Sequence, residues 1–202
     1  MLAGILAGLA CLTRMAGIVL ALVIMVEWFL NRKSMSSRAS ASAWFAALLP
    51  VICLAGFEWW RIRSGLPGTL TVQAQFWQRV PSLPWQGIGQ TIARMSAGVS
   101  LAIETLDLVI VLGMLVAGIV MFKALPASLV AYHWAFLLIN LSQVRLSQPL
   151  SGQARYAALL FPAFIWLAGK ARGPLAWRGL SYTFLLFNVL LAGQFILWGW
   201  VG

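Results

Sequence analysis

"AIETLDLVIVLGMLVAGIVMFK", residues 102–123, is an apolar run closed by a lysine, with two carboxylates, Glu104 and Asp107, near its start. Crossing hydrocarbon takes about 20 such residues as a helix. Backbone polar groups inside a bilayer must be satisfied internally, so only helices or closed barrels survive there. The run has no period-two alternation, which excludes a barrel strand. The fold class it implies is all-α, and the span is expected over 97–122.

The same pattern recurs to either side. Apolar runs at 15–31, 43–60, 126–142, 155–169 and 180–200 bring the expectation to a polytopic transmembrane bundle of about six spans, and residues 1–13 add a shorter apolar helix. All 202 residues belong to a single integral membrane domain on this reading. Composition agrees: 62% of the chain is hydrophobic, 9% is charged and the mean hydropathy is +0.91, which a water-soluble domain carries only with large exposed apolar patches. The N-terminal "MLAGILAGLACLTRMAGIVL" has no positive region before its apolar stretch, so it reads as the start of the bundle rather than a cleaved signal peptide. Gly4 and Gly8 form one G-x-x-x-G, a helix-packing signal. Cys11 and Cys53 lie in apolar runs, as small buried hydrophobes do.

Fourteen Lys and Arg against four acids give a formal charge of +10. No nucleic-acid-binding motif accompanies that excess, so it is assigned to basic loops beside anionic lipid and to groups facing a phosphorylated ligand. "NRKSMSSRAS" (31–40), Lys123 and "KARGPLAWR" (170–178) hold every lysine and fall on alternate connections. The positive-inside bias makes them cytoplasmic. The opposite side carries six arginines, four of them on the long segment 61–96, and long segments weigh little in that bias. Breakers at Gly65, Pro67, Gly68, Pro81 and Pro84 divide this external segment into two short stretches of helical character. Val72, Phe76 and Val80 recur every fourth residue, so an interfacial amphipathic helix is one reading, and a loop anchored by Trp59, Trp60, Trp77 and Trp85 is the other.

Helix rise places the charges. Fifteen residues back from Lys170 put Arg155 about 22 Å up its helix, short of a hydrocarbon core of about 30 Å. Asp107 comes out about 24 Å above Lys123, and Arg14 about 27 Å above Arg32. Arg14, Glu104, Asp107 and Arg155 therefore share one depth near the external face, where a charge needs a partner or a wet cavity. Glu104 and Asp107, three apart on one helix face, suit a two-carboxylate catalytic site or a pair of salt bridges. In the structural version Asp107 pairs with Arg155 or Arg14, or the arginines snorkel to headgroups. In the functional version the guanidinium forks hold a lipid-linked phosphate. His133 stands alone in a span as a packed, hydrogen-bonded residue, and no metal site or cofactor motif is legible.

Several stretches, in order, carry a resemblance. "CLTRMAG" (11–17), "FEWWRIRSGLPGTL" (57–70), "AQFWQRVPSLPW" (74–85), "PLSGQARYAALLFPAF" (149–164) and "ILWGWVG" (196–202) resemble elements of the PIG-V-type GPI mannosyltransferases of the GT-C class of membrane glycosyltransferases. The resemblance implies transfer of a mannosyl unit from a dolichyl- or polyprenyl-phosphate donor at the external or luminal face. It implies Arg14, Gln75, Trp77, Arg79, Arg155 and Tyr156 at the lipid phosphate, and a location in a bacterial plasma membrane, or the ER membrane in a eukaryote. The catalytic Asp of such enzymes lies on a loop before everything matched here. The chain thus corresponds to the C-terminal half of the pattern, as a fragment or a split subunit with a partner. The alternative is a non-catalytic membrane assembly subunit or small transporter. A transporter is expected to show inverted repeats with paired broken helices, and the one break legible in the sequence is at Thr13–Arg14.

Overall fold

The first turn of the chain is made at Arg14. Helix α1 (Leu2–Thr13) stops there, Arg14 is extended (φ −154°, ψ 124°), and a 3-10 turn over Met15–Ile18 leads into α2 (Val19–Asn31). The turn is tight because residue 17 is glycine: a Cβ there would lie 2.7 Å from the Cys11 nitrogen. In the computed structural model, which describes residues 1–196, this hairpin packs along α3 (Ser37–Arg63). Gly4 and Gly8 are where it closes. A Cβ on Gly4 would sit 2.5 Å from Ala46 Cα and one on Gly8 3.0 Å from Cys53 Sγ, so α1 runs parallel to α3 at backbone contact. Helix α2 runs the other way, with Trp28 edge-on to Trp44 (5.1 Å) and its Nε1 donating to Ser40 Oγ at 2.8 Å. Ser36 caps α3 by accepting from the Ala39 amide.

After α3 come α4 (Thr69–Trp77), strand β1 (Arg79–Pro81) and α5 (Gln86–Ser96). The two helical stretches expected in the external segment are present, but Val80 is not on the first of them. Gln78 adopts a left-handed conformation (φ 53°) that ends α4 and turns Val80 into a strand. Helix α6 (Ala102–Val120) begins five residues later than the expected span and continues through a 3-10 turn to Lys123. Helix α7 (Ala127–Leu141) returns beside it, and Gly118 sets their approach, since a Cβ there would meet the Trp134 ring at 2.9 Å. Strand β2 (Gln143–Arg145) then pairs antiparallel with β1, with Arg79 opposite Arg145, Val80 opposite Val144 and Pro81 opposite Gln143.

The expected helix over 155–169 is two pieces, α8 (Gln153–Ala157) and α9 (Phe161–Lys170). Pro162 near the start of α9 lacks the N–H an unbroken helix would use there, which separates them. Helix α10 (Pro174–Ile196) begins the last expected span; the remainder to residue 200, and all of "ILWGWVG" after Ile196, lie outside the described residues. The core joins Val19, Leu108, Val111, Phe136, Leu137, Leu141, Leu150 and Leu160, from α2, α6, α7 and the segment through α8.

Among the described residues two helical stretches, Ser37–Arg63 and Ala102–Lys123, are long and apolar enough to cross a bilayer, while Met15–Asn31 and Ala127–Leu141 are shorter apolar helices. Only 17% and 28% of the two apolar windows are buried, whereas the core helix of a water-soluble domain is mostly buried. Their outward faces are apolar too, with Phe45, Ile52, Val109, Val116 and Ile119 exposed.

Candidate functional site

The depths read from helix rise bring Arg14, Glu104, Asp107 and Arg155 to one end of the bundle, but acids and arginines separate there into two layers. Glu104 and Asp107 are 2% and 3% exposed. Glu104 takes both its bonds from Arg94 of α5, Nε at 3.1 Å and Nη2 at 3.0 Å. Asp107 bonds no arginine. Its Oδ1 accepts from the Ala154 amide at 3.0 Å, and the Gly152 and Gln153 amides also point at the carboxylate. It caps the start of α8, where the four leading amides of a helix have no internal partner. The expected ion pair of Asp107 with Arg155 or Arg14 is therefore absent, because the amides of 152–154 reach the carboxylate first. A two-carboxylate catalytic site is not formed either, with one acid locked to Arg94 and the other to backbone.

Above these acids, α8 presents Arg155 and Tyr156, and the Tyr156 ring is a common platform. The guanidinium carbons of Arg14, Arg79 and Arg155 lie 5.1, 5.2 and 5.3 Å from its centroid, within the reach of cation–π attraction. Three elements far apart in sequence supply them: the α1–α2 turn, β1 and α8. The ribbon delivers Arg79, whose Nη1 donates to the Tyr156 hydroxyl at 2.6 Å and Nη2 to the Ser151 carbonyl at 3.1 Å. Thr13, Gln73 and Trp77 complete the wall of an open hollow of about 460 Å³.

Of the six residues expected at a phosphate, Arg14, Trp77, Arg79, Arg155 and Tyr156 line this hollow; Gln75 is exposed and does not. Helical spacing accounts for the exchange. Gln73 and Trp77 are four apart and share one face of α4, while Gln75 is about 200° around from Gln73. That i, i+4 relation was present in the sequence. The pairing of Arg94 with Glu104 was not, because it depends on the turn at 97–101 that folds α5 back on α6.

Comparison with family models, curated proteins and solved structures finds no match to the chain. The site therefore rests on its own charge balance. All four acids are engaged elsewhere: Glu27 with Asn31, Glu58 with Thr69, Glu104 with Arg94 and Asp107 with Ala154. None comes within ion-pair distance of Arg14, Arg79 or Arg155. Three cations gathered on one ring repel each other unless an anion joins them. His133 plays no part: it is buried, with Nε2 3.0 Å from the Met114 carbonyl.

Proposed function

We propose that the chain is a multi-pass integral membrane protein of about six spans, in a bacterial plasma membrane or the ER membrane, whose Arg14–Arg79–Arg155 hollow binds a polyprenyl- or dolichyl-phosphate-linked sugar at the external or luminal face. On this reading it is the lipid-phosphate-binding half of a GT-C-like glycosyltransferase that transfers a mannosyl or related hexosyl unit. The observation that carries it is the convergence of three arginines on Tyr156 with no acidic side chain of the described residues among them. Sparse burial of Ser37–Arg63 and Ala102–Lys123, the two helical stretches long and apolar enough to cross a bilayer among the described residues, supports placement in lipid, where a ligand with a long apolar tail arrives from the side. Guanidinium groups stay charged and match phosphate oxygens with a planar fork.

In such a transfer the bond between the sugar C1 and the phosphate oxygen breaks, and the electron pair stays on the phosphate. The acceptor hydroxyl oxygen bonds to C1 and its proton passes to a base. The hollow fits the leaving phosphate, since fixed positive charge there meets negative charge as it develops. It does not supply the base, because Glu104 and Asp107 are both engaged beneath it. That role falls to a carboxylate on a further segment or partner subunit. The same engagement favours the second reading, a non-catalytic subunit that holds the lipid for another protein.

The test is binding of a polyprenyl phosphate to the chain in nanodiscs. Arg155→Ala and Arg79→Ala should each weaken it by about ten- to a hundred-fold, the loss of one charge-assisted hydrogen bond. Arg155→Lys, which keeps charge but loses the fork, should weaken it nearly as much. Unchanged affinity in all three overturns the phosphate site. Consumption of a hexosyl polyprenyl phosphate, with or without an added partner, separates the enzyme from the non-catalytic subunit.

A further inference from the structure

The charge and oxygen count of the hollow discriminate between kinds of phosphate. A sugar donor linked through phosphate is a phosphodiester, with one negative charge and two terminal oxygens. The carrier left after transfer is a phosphomonoester, with three terminal oxygens and a charge of about −1.5 to −2 at pH 7. Against these the structure sets three guanidinium groups around one ring, with all four acidic side chains, Glu27, Glu58, Glu104 and Asp107, engaged elsewhere. Tyr156 adds a hydroxyl that accepts from Arg79 and so directs its own proton elsewhere.

We infer that this hollow selects a phosphomonoester dianion over a phosphodiester, so that the spent lipid carrier binds more tightly than the sugar-linked donor. This rests on the phosphate-binding reading above and sharpens it. Arg79 already donates through Nη1 to Tyr156 and through Nη2 to Ser151, so it adds charge more than a free fork. A monoester gives the guanidinium groups three terminal oxygens to share, whereas a diester gives two and an ester oxygen, a poor acceptor. Mutual repulsion among Arg14, Arg79 and Arg155 is relieved more by a dianion than by a monoanion. The functional corollary is that the site binds its phosphate more strongly once the sugar has left, which is how binding energy accelerates a step rather than merely holding substrate. It also makes the spent carrier a competitive inhibitor of its own donor.

The experiment measures binding of a polyprenyl phosphate and of its methyl ester to the full chain in nanodiscs between pH 5 and pH 8. Inorganic phosphate and methyl phosphate serve as soluble competitors. At pH 8 the monoester should bind about ten- to a hundred-fold more tightly than the methyl ester, one charge-assisted hydrogen bond's worth. Its second ionisation has a pKa of about 6, so that advantage should collapse toward unity near pH 5. The protein groups facing the phosphate are Arg14, Arg79, Arg155 and the Tyr156 phenol, with Asp107 behind α8. Any titration among them acts on both ligands, so the ratio of the two affinities isolates the ligand's own ionisation. A ratio near one at pH 8, or one that does not change with pH, overturns the inference while leaving the phosphate site standing. Failure of both lipids to bind overturns the phosphate site and the inference together. Competition by inorganic phosphate at the same concentration as the lipid keeps the dianion preference but removes the lipid as its source.

Discussion

Asp107 turns a buried carboxylate to backbone amides, and that choice decides how the arginine layer above it is held. Its Oδ1 fixes the Ala154 amide one residue before Arg155, so the side chain acts on the hollow through the start of α8. Asp107→Asn keeps an acceptor oxygen in place and should change thermal stability by no more than about 1 kcal/mol, whereas Asp107→Leu strands buried amides at a cost of about 1–3 kcal/mol. Melting curves in one detergent compare the two; equal stability of the Asn and Leu variants would dismiss the capping role. Glu104 differs, because its partner Arg94 has a side chain 33% exposed and shares the pair with solvent. Helix rise, a fixed length per residue, put both acids at the end of α6 that meets α8, where the structure has Asp107. It did not assign their partners, because a carboxylate's partner is set by whichever donor the tertiary fold brings within 3 Å. Gln73 and Gln75 make the same point within one helix, where two residues of register decide which amide faces the hollow.

Among elements, the α1–α3 and α6–α7 contacts are made by glycines, and the arginine hollow depends on a ribbon too short for any periodicity to reveal. Gly4 and Gly118 allow backbone-close packing that a side chain forbids. Gly4→Leu or Gly118→Leu should therefore destabilise the bundle by about 1–3 kcal/mol or more through overpacking. Gly113→Leu is the control, being helical on α6 with nothing within 4 Å of its added Cβ. If the Gly113 variant falls in denaturant midpoint as far as the other two, the close contacts are not what the glycines serve. The G-x-x-x-G of α1 was legible because small residues four apart have one common structural use. The β1–β2 ribbon was not, because three-residue strands carry no alternation and Pro81 reads as a breaker when its edge position is unknown. Likewise the apolar run over 155–169 hid the break between α8 and α9, since hydropathy does not register a change of direction.

For the whole molecule, the structure groups the charged loops by end. Val26 of α2 lines a groove with Phe122 and Leu125, so the loop after α2, with Arg32 and Lys33, lies at the same end as Lys123. Arg14, Arg79 and Arg155 meet at the opposite end, as the parallel course of α1 and α3 requires. In the multi-pass reading this separation is a topology: the lysine-bearing loops face the cytoplasm and the hollow faces outside. Position 36 sits in the loop before α3 and position 64 just after it. The two are separated by 27 helical residues, about 40 Å of rise, so they should fall on opposite faces of one bilayer. Single cysteines placed by Ser36→Cys and Ser64→Cys, in a background where Cys11 and Cys53 are replaced by serine or alanine, report each face directly. In intact cells an impermeant thiol reagent should label position 64 and spare position 36, and permeabilisation should expose both. Labelling of position 36 alone reverses the orientation and puts the hollow on the cytoplasmic side. Equal labelling in intact cells removes the crossing of α3 altogether, and with it the reason for a lipid-linked ligand.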